Sequence, residues 1–365
     1  MLISRITAAL EAVAPLPLQE DYDNCGLIIG DASAECKGVL LCVDVTEQRV
    51  AEAVEKGCNL IVSHHPVIFK GLKRLTGHTP AERTAIAAIK AGVAVYACHT
   101  CLDNAPEGVS AMMGEMLGLK RTKILAPQTD RSLKLTVYVP RAYAEGVRQA
   151  LFDAGAGHQG RYDCCSYSSE GNGTFRALEG AEPFVGNIMS IHSEPEERVE
   201  LLIPSYLRSA CEKAILGSHP YEQPAYEFAE VRAAVADTGC GLTGVLPEPM
   251  TPRRLADHVK AVFGSPVARC SRYPDDEMIE RVALCGGSGA SFLPDAIASG
   301  AQAYITSDTK YHDFADAADT IFIVDIGHYE SEKCTTAIFK RVITEKFPNF
   351  AVHISQSERN PIAYL

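Results

Sequence analysis

Short apolar runs alternate with amphipathic helical segments at both ends of this chain, and the alternation stops in the middle. Near the N-terminus the runs at 38–45, 59–63 and 93–99 read as strands, and 46–56 and 79–91 as helices, with Thr46 as an N-cap. A further helix is expected over 1–11. The pattern returns with helices over 252–263, 292–299 and 311–318, strands over 281–285, 302–306 and 320–325, and a last helix over 329–346. Repeated strand–helix–strand units call for an α/β fold with a mainly parallel, helix-covered sheet.

The middle obeys a different pattern. A strand over 133–140 leads into a helix over 142–154, and a strand over 199–204 leads into a helix over 206–216. Both strands end in proline and both helices end near glycine (Gly155, Gly217), which makes a weak internal repeat of ferredoxin-like type. The predicted organisation is a discontinuous α/β domain, 1–128 with 235–365, interrupted by an α+β insertion at 129–234. The Gly-, Glu- and Ser-rich stretch 168–195 reads as hairpin and loop, with Glu194, Glu196 and Glu197 on a solvated face. At 365 residues the chain is long enough for both parts.

Charge and composition narrow the function. Against 34 Lys+Arg stand 46 Asp+Glu, a net charge of −12, so strong binding to nucleic acid or to an anionic membrane is not expected. No apolar stretch approaches the roughly 20 residues that span a bilayer, and residues 1–11 lack a signal-peptide core. The 13 cysteines are an odd number and fall in apparent core strands (Cys42, Cys98, Cys285), as expected of reduced thiols in the cytoplasm. Cys98-His99-Thr100-Cys101 lacks the second pair that a structural zinc site needs. A redox role needs the motif to open a helix, and 102–106 reads as a loop.

In parallel sheets ligands bind beyond the carboxyl ends of the strands. Ser63-His64-His65-Pro66 stands at one such end, where Pro66 breaks the strand. Alone, the pair is either a solvated loop or two metal ligands. The other strand ends carry Asp44; His99 and Asp103; Asp308, Lys310 and His312; and Gly327, His328 and Glu332. His328 and Glu332, four residues apart, share a helix face, as a surface pair or as ligands. The combined set His64, His65, Asp103, His328 and Glu332 suits Zn²⁺, Fe²⁺ or Mn²⁺ better than Mg²⁺ or Ca²⁺. Two such ions per chain, about 3.5–4 Å apart, can hold a hydroxide and polarise a carbonyl or phosphoryl oxygen. Gly286-Gly287-Ser288-Gly289 is either a tight turn or an anion site at a helix N-terminus; it is neither a Walker A nor a full dinucleotide motif.

Taken together, these residues resemble the GTP cyclohydrolase 1 type 2 homologue family, also called NIF-three-like. The likeness runs from Asp23-Asn24-Cys25-Gly26-Leu27 through Ser63-His64-His65-Pro66, His99-Thr100-Cys101-Leu102-Asp103, Gly286-Gly287-Ser288-Gly289 and Thr306-Ser307-Asp308-Thr309-Lys310-Tyr311-His312 to Gly327-His328-Tyr329-Glu330-Ser331-Glu332. His219-Pro220-Tyr221-Glu222-Gln223-Pro224-Ala225-Tyr226 resembles the signature of long members with a PII- or CutA-like insertion. Ser307 departs from the family's usual Gly. The resemblance implies a dinuclear centre with His65 and Asp103 on one ion, His64 and His328 on the other, and Glu332 bridging. It also implies a ring-shaped homohexamer with sites facing an internal cavity.

Two functions are expected from this. One is a metal-dependent hydrolase acting on a nucleotide-like or heterocyclic small molecule, with His99, Asp308 or His312 shuttling protons or orienting ligands. The other is a non-catalytic metal-binding or regulatory protein whose insertion senses a small ligand. Open coordination positions favour the first, and the lack of a recognisable base-binding motif favours the second.

Overall fold

Complete burial along the central strands sets the architecture. In the computed structural model, which describes residues 1–129, 132–160, 162–232 and 238–365, the chain divides into two compact units, Met1–Ala126 with Thr238–Leu365, and Pro127–Asp237. The expected insertion boundary at 234 lies outside the described residues.

In the larger unit, β1 (Gly26–Ile29), β2 (Val39–Cys42), β3 (Leu60–Ser63), β4 (Ala94–Ala97) and β15 (Val352–Ile354) form one sheet in the order β1-β4-β3-β2-β15. Strands β2, β3 and β4 are buried at every position, as in parallel sheets covered on both faces. They pair in parallel, with Cys42, Ser63 and Ala97 level at their carboxyl ends. Strand β1 closes one edge antiparallel. Strand β15, which no expectation anticipated, closes the other in parallel.

A second sheet has the order β11-β14-β13-β12-β10-β5. It consists of β5 (Lys120–Pro127), β10 (Gly239–Met250), β11 (Arg269–Cys270), β12 (Ile279–Leu284), β13 (Ala303–Thr306) and β14 (Phe322–Asp325). Strands β12, β13 and β14 are parallel, with antiparallel β10 and β11 beside them. The mainly parallel sheet is thus two sheets, each with a parallel centre and an antiparallel edge.

Caps behave as their residue types dictate at two helices. Thr79 accepts from the Glu82 amide before Pro80–Ala91, and Thr251 from the Arg254 amide before Pro252–Phe263. At Glu47–Glu55, Thr46 stands at the N-cap but its hydroxyl accepts from the Arg49 side chain instead. The expected last helix is two, His328–Glu332 and Thr335–Lys346. At the junction, Ser331 and Thr336 donate their hydroxyls to the carbonyls of His328 and Lys333, local bonds that compete with the helical ladder. The expected loop after Cys101 instead begins in a helical turn, Thr100–Asp103. Its first amide and the Thr100 hydroxyl both donate to Asp23, a capping carboxylate far away in sequence.

The smaller unit is a four-stranded antiparallel sheet in the order β7-β8-β6-β9, from β6 (Ser132–Pro140), β7 (Tyr167–Arg176), β8 (Ile191–Pro204) and β9 (Tyr226–Val231). Helices Ala144–Asp153 and Arg208–Ser218 follow β6 and β8. Alternate residues Leu133, Leu135, Val137 and Val139 meet Val199, Leu201 and Ile203 and the helix residues Val147, Leu151, Cys211 and Ile215 in one core. The hairpin over 168–195 is β7 and the start of β8, and Glu196 is buried rather than on a solvated face.

Candidate metal centre

The histidine pair is positioned by backbone ladder bonds past the end of β3. The His64 and His65 amides donate to the Cys42 and Val43 carbonyls, and the Ser63 hydroxyl donates to the His65 carbonyl. His64 is fully buried. Its Nδ1 donates to the Cys98 carbonyl at 3.0 Å, so Nε2 is the nitrogen turned into the cluster. That Nε2 points to the Asp103 carboxylate (3.8 Å) and to Glu332 Oε1 (3.6 Å), yet it has no hydrogen-bond partner among the described residues.

His65 turns its Nδ1 to Asp44 (2.8 Å) and its Nε2 to Glu332 Oε2 (2.9 Å). His328 mirrors it, with Nδ1 on Asp308 (2.8 Å) and Nε2 on the same Glu332 oxygen (2.9 Å). The two Nε2 atoms are 3.3 Å apart. Glu332 Oε2 is buried and, despite these short distances, sits at angles that complete no hydrogen bond. Three nitrogen and oxygen donors thus crowd one point. A cation there satisfies them all.

Electrostatics point the same way. Burial alone depresses His65, but Asp44 and Glu332 outweigh it and raise the imidazole to about 10. His328 is likewise lowered by burial and lifted to about 9 by Glu332 and Asp308. Burial pushes Asp103 up to about 7 against the pull of His64. Burial also raises Glu332, but His64, His328 and His65 prevail and hold it well below its usual range. The cluster demands positive charge at its centre, from protons or from metal, and the two compete.

A glycine cradle holds the shared carboxylate. Gly287, at φ +63°, is so close that a Cβ there would meet Glu332 Oε1 at 2.0 Å. Its amide donates to Ser331 Oγ, and its carbonyl accepts from the buried Ser307 hydroxyl. Ser307, the departure from the family pattern, is therefore a support of the turn. The Gly286–Gly289 turn works as a close-packed wall of the site, and the helix that follows it, Leu293–Ala298, is short.

The fold brings together His64, His65, Asp103, His328 and Glu332, with His99 beside them. Ligand atoms of His64, His65 and His99 all lie within 4.8 Å of one another, as do those of His65, His328 and Glu332. His99 is held through Nδ1 by Asp23 at 2.9 Å. His312 is exposed on the helix Tyr311–Ala317, with its ring against Tyr311 at 5.4 Å, and is not brought to the cluster. Asp23 and Asp44 were missed as functional partners. Asp44 carried a signal, since it stands at a strand end; Asp23 carried none outside the family motif. His64 Nε2 lies 3.8 Å from the Asp103 carboxylate, and His65 Nε2 lies 3.3 Å from His328 Nε2. The Cys98 and Cys101 thiols, 3.6 Å apart, do stand at the opening of a helical turn, and both are buried.

Known proteins agree on the family. The model of the Duf34/NIF3 (NGG1p interacting factor 3) family matches residues 1–361. A Bacillus subtilis protein named GTP cyclohydrolase 1 type 2 homolog is 37% identical over 99% of this chain and 98% of its own. A Halalkalibacterium halodurans protein of the same name is 38% identical over 87% of this chain and 86% of its own. The crystal structure of a Bacillus cereus protein related to NIF3 superposes with a TM-score of 0.85 at 35% identity, over 100% of this chain and 99% of that one. This chain belongs to the Duf34/NIF3 family.

Proposed function

We propose that His64, His65, Asp103, His328 and Glu332 hold two divalent cations (Zn²⁺, Fe²⁺ or Mn²⁺), and that the protein is a metal-dependent hydrolase of a nucleotide-like or heterocyclic small molecule. The observation that carries this is the pair of buried, unpartnered atoms, His64 Nε2 and Glu332 Oε2, at the convergence of five donors. Glu332 turns one oxygen to His64 and the other to His65 and His328, the arrangement of a bridging carboxylate. When bound, such a pair of ions supplies Lewis acidity and an activated water. Asp44 and Asp308 fix the ring orientation of His65 and His328 and so act as positioning residues. His99, set beside the cluster by Asp23, is the residue placed to carry a proton. The test is to load the protein with each metal and screen nucleotides, phosphoesters and cyclic amides. Turnover abolished by Glu332→Ala is expected, and turnover that survives it removes the hydrolase reading.

We further infer that the smaller unit is a ferredoxin-like module, supported by its strand–helix–strand–strand–helix–strand order and its strand arrangement. The cytoplasm is the compartment that suits 13 free cysteines. Among the described residues no helix is long and apolar enough to cross a membrane. A homohexameric ring follows from the family resemblance and is checked by light scattering on the purified chain. A cavity in the smaller unit favours a second reading, a metal-binding protein regulated by a small ligand.

A further inference from the structure

The face of the smaller unit's sheet opposite its core is not flat. The chain after β7 folds across it, and with the 221–225 segment encloses a cavity of about 800 Å³, within the size range of small-molecule sites. Strand alternation decides what points in. Val199, Leu201 and Ile203 of β8 go to the core, so Glu196 and Arg198 face the cavity, with Tyr138 of β6 and Phe175 of β7.

Part of the wall is aromatic, from Tyr138, Phe175, Phe184 and Tyr221. Phe175 and Tyr221 lie 5.8 Å apart between ring centres, Phe184 and Tyr221 6.4 Å, and Phe184 meets Tyr143 at 5.4 Å. Phe184 remains 47% exposed at the edge of this cluster. Of the three carboxylates that line the cavity, Glu170 and Glu222 are exposed, and Glu196 is the buried one, only 9% exposed. Its Oε1 accepts from the Tyr221 hydroxyl at 3.1 Å, and it forms no ion pair among the described residues. The arginines that line the cavity do not neutralise it. Arg198 is exposed and tied to Glu200, and Arg176 is exposed. Room for the carboxylate comes from Gly173, where a Cβ would come within 2.1 Å of Glu196 Oε2.

We propose that this cavity binds a flat organic cation or a protonated nitrogen heterocycle, with Glu196 accepting from its N–H groups and Phe175, Phe184 and Tyr221 packing against its face. Each part has a physical cause. A carboxylate largely withdrawn from water, with one hydroxyl donor and no ion pair among the described residues, has acceptor capacity left for a cationic N–H donor. Ring faces attract the same cation through their quadrupoles. An anionic ligand meets the Glu196 charge and is rejected. The site is separate from the metal cluster in sequence and stands whether or not that cluster is hydrolytic.

The probe is benzamidine, a flat amidinium, with benzamide and benzoate as neutral and anionic controls of the same shape. Titration calorimetry on the full-length, metal-loaded protein is expected to give one benzamidine site per chain, at least tenfold tighter than either control. Glu196→Gln, close in shape, should weaken benzamidine at least tenfold and narrow the preference over benzamide. Phe184→Ala at the rim should weaken benzamidine and benzamide together. Melting temperature and metal content report whether each variant is folded. No saturable benzamidine site in the native protein, equal binding of benzoate, or benzamidine binding unchanged in Glu196→Gln would each overturn the assignment.

Discussion

The two units hold unmet negative charge in opposite ways. In the larger unit, carboxylates and imidazoles from distant segments converge on one spot, and each outer imidazole is locked by its own aspartate. In the smaller unit one buried carboxylate, Glu196, stands beside aromatic rings with one hydroxyl donor, while Glu170 and Glu222 of the same cavity are exposed. The first arrangement fits small hard-edged cations, which need several donors at short range. The second fits a broad organic cation, which needs area and one anchor. The difference teaches that local negative charge does not name its ligand; the number and directions of donors do.

Four experiments press on this contrast, beginning with the largest effect. Glu332→Ala removes the carboxylate shared by both halves of the cluster, so metal content by mass spectrometry should fall from about two ions per chain to less than one. Two ions retained would refute the bridging role. Next, Leu135→Ala in the smaller core should cost about 2–5 kcal/mol in denaturant unfolding of that unit, with metal content untouched. Loss of metal in this variant would show that the two regions are not independent.

A smaller effect is expected from Asp44→Asn or Asp308→Asn. Each loosens one imidazole without removing a donor, and metal affinity by competition with a chelator should drop about 10–100-fold. The smallest effect lies at the edge of the first sheet. Burial raises the Glu52 carboxyl, but donors from Ser355, Gln356 and Ser357 outweigh it and bring it from 4.5 to about 2. Its contribution to stability is therefore complete above pH 4.5 and is lost as pH falls towards 2. Melting curves across that window should be flatter for Glu52→Gln than for the native chain, and equal slopes would contradict the role given to these bonds.

Much of the fold was legible because its signals are local. The buried strands β2, β3, β4, β13 and β14 read directly as apolar runs, whereas the caps did not: Thr46 was the expected one, and the hydroxyls that cap are those of Thr79 and Thr251. The helical turn at Thr100–Asp103 was not legible, since its capping carboxylate is Asp23. Strand β15 is short and partly exposed and forms only by pairing with β2. Glu196 reads as one glutamate in an acidic run, and only the chain folded over the sheet buries it.

For the site, the order of strands along the chain was enough to place His64, His65 and Asp103 at the carboxyl ends of one parallel set and His328 and Glu332 at the end of another, but not to bring the two sets together. That placement is a rule of topology, and topology follows from periodicity. Which nitrogen faces which oxygen is a matter of a few ångströms between segments far apart in sequence. The locks of His65 by Asp44 and His99 by Asp23, the cradle of Gly287 around Glu332, and the exclusion of His312 were decided by tertiary packing alone. The physical reason is range: periodicity acts over one or two turns, whereas hydrogen bonds between side chains depend on where the whole chain puts them.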